Sequence, residues 1–278
     1  MFQKLDHILI QTNKKFYSKL FGDHRSVFSG SGFEFKEIRE YGSGDDIRHI
    51  NWKVTAKNKI ATVNSFDDTK QLNIALIYLN SGGMSFGTSK KKIDVANEIL
   101  ASLGYIALKS SDMVTTVIYD DNDPIYYKAT KNKNQLKINF QTISNIDPVG
   151  LSVTFSSLNN YIANKIKKNS LIFLIGDFLE DEIDLGFLSY RYELYTIVVR
   201  DKDEECLSMN GRYNFIDSKS LDESIVEVDE TTIKKYKTLV ETHDKNLIEH
   251  FKKNRIRYKK IYTNSNVVDD LASLLVTR

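Results

Sequence analysis

The chain has 278 residues, enough for one large domain or one domain with a small appendage. Its composition is typical of globular proteins, with 41% hydrophobic and 27% charged residues. A formal net charge of +2 gives no strong field toward nucleic acid, and no segment has the roughly 18–20 apolar residues of a membrane span. The single cysteine, Cys206, favours a reducing compartment. We therefore expect a cytoplasmic protein that binds no nucleic acid and meets membranes only through partners.

The first section of the chain differs from the rest. It opens with a short helical pattern marked by Ile8, Phe16 and Leu20. A stretch of mixed charge and glycine with little clear period follows, as far as about Thr69. We therefore divide the chain into an N-terminal helix and charged segment, residues 1–69, and an α/β domain, residues 70–278.

Beyond this boundary, predicted strands alternate with predicted helices. Nearly continuous apolar runs, typical of strands buried on both faces, occupy residues 72–79, 113–119, 171–175 and 194–199. Residues 125–127 predict an antiparallel hairpin partner, and residues 256–262 a last strand. Helical spacing predicts helices after Thr88 or Ser89 and near residues 135–143, 151–166, 232–252 and 267–275. The alternation predicts a doubly wound, mostly parallel sheet.

Ligands of such sheets bind at the carboxyl ends of the strands, where the strand order reverses. Residues 80–84, Asn-Ser-Gly-Gly-Met, follow the first buried run, and Asp177 follows a later one. Oxygen ligands at this edge could hold Mg²⁺, but the loop has no carboxylate and Mg²⁺ would bind weakly. The alternative is a tight glycine turn before a helix that Thr88 or Ser89 caps.

Residues 32–52 form an unusual segment rich in glycine, charge and aromatic rings. Arginine forks match carboxylates and phosphates, so the segment could be catalytic or phosphate-binding. The alternative is a structural or partner-docking segment in which Asp45 and Asp46 pair with Arg39 and Arg48, while Tyr41 and Trp52 pack on the sheet.

No catalytic Ser/His/Asp or Cys/His set and no phosphate-binding loop can be assembled from the sequence. We therefore expect a protein that is not an enzyme. The alternative is a divalent-metal-dependent hydrolase or nuclease that uses Asp45, Asp46 and Asp177.

Residues 32–52 and the loop after the first buried run together resemble family 58 of the bacterial domains of unknown function. That family joins a Gly-x-Glu-Phe…Arg-x-Tyr-x-x-Gly-Asp-Asp-x-Arg-x-Ile-Asp-Trp segment to a von Willebrand factor A-like domain. The matching residues are Gly32, Glu34, Phe35, Arg39, Tyr41, Gly44, Asp45, Asp46, Arg48, Ile50, Asn51 and Trp52. Two positions depart from the pattern: Asn51 stands where the family usually has Asp, and Lys57 where it usually has Arg.

The resemblance implies a doubly wound sheet of the von Willebrand factor A type, with the charged segment packing on it. Such domains carry a metal-binding Asp-x-Ser-x-Ser motif after the first strand. When the motif is aligned on Met84 and Phe86-Gly87, its Asp corresponds to Leu79 in this sequence. Its first Ser corresponds to Ser81, and its second Ser corresponds to Gly83. A later aspartate of such sites corresponds to Asp177. This implies a degenerate metal site reduced to Ser81 and Asp177, with no cofactor beyond weakly bound Mg²⁺.

The resemblance also implies a partner, an AAA+ ATPase of the MoxR type. The expected function is a non-catalytic interaction module that acts as an adaptor in chaperone-like maturation or assembly of a client protein. The segment Glu34–Trp52 is then a structural motif or a docking surface.

Overall fold

The computed structural model describes residues 33–42, 45–68, 71–206 and 211–276. The helix predicted around Ile8 and the motif residues Gly32 and Gly44 lie outside these ranges. Contacts divide the described chain into two compact units that meet in sequence between Leu72 and Asn73.

The smaller unit is an antiparallel strand pair, β1 (Phe33–Glu40) and β2 (Thr62–Asp68). A 3-10 turn (Ile47–His49) and helix α1 (Trp52–Asn58) connect the strands. Asn51 begins the helix: its Oδ1 accepts from the Val54 N–H at 3.1 Å, and its Nδ2 donates to Asn64 Oδ1 at 2.9 Å. Asparagine thus supplies both a cap acceptor and a donor, whereas the aspartate expected from the resemblance could only accept.

The larger unit contains a six-stranded sheet and a separate hairpin. The strands in chain order are β3 (Asn73–Leu79), β4 (Met113–Tyr119), β5 (Ile125–Thr130), β6 (Leu171–Gly176), β7 (Glu193–Arg200), the hairpin pair β8 (Gly211–Ile216) and β9 (Glu223–Val228), and β10 (Arg257–Tyr262). The order in the sheet is β10-β7-β6-β3-β4-β5, parallel except for β5, which is antiparallel to β4. The strand order reverses between β3 and β6, which is where a doubly wound sheet binds ligands. The predicted fold class is confirmed.

Seven helices of the described chain belong to the larger unit. They are α2 (Lys92–Lys109), α3 (Lys133–Asn145), α4 (Phe155–Lys165), α5 (Gly186–Arg191), α6 (Lys202–Glu205), α7 (Glu230–Lys253) and α8 (Val267–Val276). The predicted capping of α2 by Thr88 or Ser89 is wrong. The Thr88 N–H and Oγ1 instead both donate to the Asp201 carboxylate at 3.1 Å, and the helix begins at Lys92.

The central strands are buried because their runs are apolar on both faces. Leu76, Ile77, Leu174 and Ile175 have no exposed surface, and burial of each such side chain contributes about 1.5–3 kcal/mol. This core fixes the carboxyl ends of β3 and β6 side by side. In the described part of the chain, no helix is long and apolar enough to cross a membrane.

Candidate functional site

The two residues predicted to remain from a metal motif meet at the edge of the sheet. Tyr78 in β3 is in register with Ile175 in β6, so the loops that follow the two strands emerge together. Ser81 Oγ donates to Asp177 Oδ1 at 3.0 Å, and both residues are almost completely buried. The structure therefore brings Ser81 and Asp177 into direct contact, as their places at neighbouring strand ends predict.

The two lost positions of the motif are filled in ways that exclude oxygen ligands. Leu79 lies in the apolar core, and a side chain at Gly176 would overlap it. A side chain at Gly83 would overlap the Asp177 carboxylate and would stand 3.7 Å from the Lys92 ammonium. The carboxylate of Asp177 thus occupies the space that a serine at position 83 would need.

Lys92 is one of the residues of this site that the sequence did not predict. It is fully buried at the first turn of α2, and its backbone N–H donates to the Phe86 carbonyl at 2.8 Å. Its Nζ lies 3.3 Å from Asp177 Oδ2 and 2.6 Å from Glu204 Oε1. A buried ammonium group is tolerated only when it is paired and hydrogen-bonded, and these two carboxylates meet that need.

A detectable signal for Lys92 was present in the sequence. Lys92, Ala96 and Leu100 follow one another at intervals of four residues, so the lysine lies on the buried stripe of α2. It is the last of three consecutive lysines, and such a charge run ordinarily indicates a solvated surface. Glu204 carried no comparable signal, because it lies in a four-residue helix composed only of charged residues.

Further charged groups extend the cluster. Glu180 accepts from Lys219 Nζ at 3.1 Å. Burial raises the pKa of Glu180, and the nearby Asp177 raises it further, while Lys219 opposes both effects. Burial likewise raises the pKa of Glu204 against the opposing charge of Lys92. Three carboxylates (Asp177, Glu180, Glu204) and two ammonium groups (Lys92, Lys219) therefore face one another at this edge.

The turn between β8 and β9, residues 217–222, packs against the loop that follows β3. The carbonyl of Ser218 accepts from the Gly150 N–H at 2.8 Å. A side chain at position 82 would overlap that carbonyl, so the turn can pack this closely only because residue 82 is glycine. We did not predict this hairpin from the sequence, and it brings Lys219 to Glu180.

The metal ion that the von Willebrand factor A resemblance implies does not fit the residues present. Ser81 and Lys92 occupy the two oxygens of Asp177, while Leu79 and Gly83 provide no ligand. Divalent cations such as Mg²⁺ need several oxygen ligands in near-octahedral geometry. Among the described residues, no group of three or more His, Cys, Asp or Glu side chains could hold a metal ion.

In the smaller unit, the predicted ion pairs are confirmed. Arg39 forms a two-pronged contact with Asp45 at 2.6 and 2.8 Å, and Asp45 also accepts from the Gly42 N–H. Arg48 pairs with Asp46 at 2.6 Å, and hydrogen bonds from Arg48 lower the pKa of Asp46 to about 2. Of the remaining motif residues, Glu34 and Phe35 lie in β1.

Tyr41 and Trp52 leave much of their aromatic surface exposed, and their packing on the sheet stays a prediction. Tyr41 is 41% exposed and Trp52 is 68% exposed, and no residue of α1 is buried. Ile47 and Ile60 are exposed as well. Ile60 also lines a groove of about 310 Å³, together with Ile38, Val54 and other residues of this unit.

The strand order, the antiparallel edge strand and the position of the loop after β3 define a von Willebrand factor A-like α/β domain. The family model described as "Protein of unknown function DUF58" matches residues 37–246. This chain therefore belongs to the DUF58 family, as the motif residues predicted.

Curated relatives carry no assigned activity. The chain is 23% identical over 198 residues to the uncharacterized proteins Rv1480 of Mycobacterium tuberculosis and Mb1516 of Mycobacterium bovis. The matched part spans 69% of this chain but only 62% of each relative.

Solved structures with a similar course of the chain include the conserved hypothetical protein BatB from Bacteroides thetaiotaomicron, at 10% identity and a TM-score of 0.46. That match covers 73% of this chain and 97% of BatB. The von Willebrand factor A domain of SpRpn10 matches at 11% identity and a TM-score of 0.37, covering 72% of this chain and 93% of that domain.

Proposed function

We propose that this protein is a non-catalytic interaction module, an adaptor that works with an AAA+ ATPase of the MoxR type in the maturation or assembly of a client protein. Membership of the DUF58 family and the von Willebrand factor A-like fold are consistent with an interaction module. The exposed Cys206 thiol favours work in the reducing cytoplasm.

The proposal rests on the ion pairs formed by the three carboxylates that an enzyme would use. Asp45 and Asp46 are each held by an arginine, and Asp177 is held by Lys92. Metal-dependent hydrolysis needs carboxylates that converge on ions instead of on neighbouring cations. The geometry therefore favours recognition over the alternative of a hydrolase or nuclease.

The apolar surface of the smaller unit is the docking surface that we assign to the ATPase. Trp52, Ile47 and Ile60 are at least half exposed, and Arg39 and Arg48 lie in the same unit. Tryptophan and arginine are enriched among the residues that dominate binding energy at interfaces. Arg39 pairs with Asp45 and Arg48 pairs with Asp46, and these ion pairs hold the two guanidinium groups in fixed positions before binding.

The test is co-purification from host cells followed by identification of the captured proteins by mass spectrometry. We expect a MoxR-type ATPase to be recovered with the wild-type protein. Trp52→Ala should weaken its binding by about 30-fold, as for an interface hot spot worth about 2 kcal/mol. Because Trp52 is largely exposed, the free energy of unfolding should change by no more than about 0.5 kcal/mol.

The matched control is Leu239→Ala, which removes another exposed apolar side chain, 69% exposed, from α7 in the larger unit. This variant should bind the ATPase like the wild type. If no such ATPase were recovered, the proposed partner would be contradicted. If Trp52→Ala and Leu239→Ala lost binding equally, the proposed docking surface would be contradicted.

A further inference from the structure

Three segments that leave one edge of the sheet converge on a single buried ammonium group. Lys92 begins α2, Asp177 follows β6, and Glu204 lies in α6 just after β7. We propose that the Lys92 ammonium is the resident cation of this domain, which takes the place of the divalent ion that a complete metal motif would bind.

The charge and the space at the site both support this assignment. Lys92 Nζ contacts carboxylates from two different strand ends, at 3.3 and 2.6 Å, as a bridging metal ion would. Glycine at position 83 leaves room for the Asp177 carboxylate to sit against the loop and face Lys92. A single positive charge is weaker than a divalent one, and Lys219 beside Glu180 supplies the second positive charge of the cluster.

The replacement changes what the edge can bind. A metal ion in an open site keeps coordination positions that a ligand's own carboxylate can fill. Lys92 has no exposed surface, and its ammonium group already meets two carboxylates. An acidic ligand therefore cannot reach this cation, and the edge is held together without divalent ions. This inference is independent of the identity of the partner.

The test compares thermal unfolding of the full chain in 1 mM EDTA with unfolding in 5 mM MgCl₂ or MnCl₂, at roughly the concentrations at which weak oxygen sites fill. The wild-type midpoint should be the same in all three buffers. Lys92→Met leaves two carboxylates without their cation and should lower the midpoint in EDTA by roughly 6–20 °C. Mn²⁺ should recover part of that loss in Lys92→Met alone.

Lys90→Met is the matched control, because Lys90 is 58% exposed and lies 3.6 Å from Glu98 at the surface. Its midpoint should stay near the wild-type value. A wild-type midpoint that rises with Mg²⁺ or Mn²⁺ would overturn the proposal, and so would a Lys92→Met midpoint equal to that of Lys90→Met.

A second variant keeps the test decisive if Lys92→Met does not fold. The double variant Lys92→Met/Asp177→Asn removes both the cation and one carboxylate that it neutralises. Recovered folding would support the role of Lys92 as a cation. A double variant no more stable than Lys92→Met would overturn the proposal, because removing one of the two unpaired carboxylates would then have brought no relief.

Discussion

At the scale of single residues, Asp201 shows how one carboxylate can join distant segments. It follows β7 and accepts from the Thr88 N–H and Oγ1 ahead of α2, and from Thr263 Oγ1 after β10 at 2.6 Å. It also accepts from the Asp203 N–H and caps α6. Burial by itself would raise the pKa of Asp201, but these hydrogen bonds outweigh burial and lower it.

This balance predicts an acid dependence of stability. Because the pKa is lower in the folded chain, the contribution of Asp201 is complete above its unfolded value, near 4, and is lost as pH falls through the folded value. Asp201→Asn should cost about 1–3 kcal/mol at pH 7 and flatten the loss of stability below pH 4. Urea unfolding between pH 2.5 and 7 measures both effects.

The control for this prediction is Asp203→Asn, an exposed carboxylate two residues away. It should leave both the stability and its pH profile close to those of the wild type. An Asp201→Asn protein with the acid dependence of the wild type would show that other carboxylates account for it.

At the scale of elements, the β8–β9 hairpin is fixed to the sheet edge through its turn. Gly82→Ala would place a methyl group against the Ser218 carbonyl and displace the turn, which should destabilise the protein by about 1–3 kcal/mol. Chemical denaturation gives the free energy, and proteolysis in residues 211–228 reports the release of the hairpin. Gly42→Ala has 3.4 Å to its nearest neighbour and serves as the control. Equal effects of the two substitutions would contradict the contact.

The elements differ in how well the sequence predicted them. Strands β3, β4, β6 and β7 carry nearly continuous apolar runs, as is typical of strands covered on both faces, and their positions were predicted to within one or two residues. Strands β8 and β9 are mostly exposed and contain no continuous apolar run, so the sequence did not predict them. The pair β1–β2 lies in the segment of mixed charge, where the pattern is equally weak.

The site was predictable only in part, for a related reason. Ser81 and Asp177 follow predicted neighbouring strands, so topology alone places them together. The pairing of Lys92 with Glu204 joins residues 112 positions apart in the chain. It also requires a buried lysine, and lysine is almost never fully buried unless it is paired. No local pattern encodes such a pair.

At the scale of the whole molecule, the chain nearly balances its charges, with 39 Lys and Arg residues against 37 Asp and Glu residues. The larger unit buries part of this charge at the sheet edge instead of leaving it all at the surface. Lys92 and Arg200 are both almost fully buried, and each is paired with acidic residues of another element. The stability of this unit therefore depends on electrostatic pairing as well as on its apolar core.

The buried charge cluster also has a consequence for the order of folding. Lys92 contacts residues 85 and 112 positions further along the chain, so its ion pairs form only after β3, β6 and β7 lie side by side. Until then the three side chains remain hydrated. Lys92→Met should therefore speed unfolding and leave the refolding rate within about twofold of the wild type, as stopped-flow kinetics in urea can measure. A matching loss in the refolding rate would place the cluster in the folding nucleus. On the expected outcome, Lys92 slows the opening of a sheet that has already assembled.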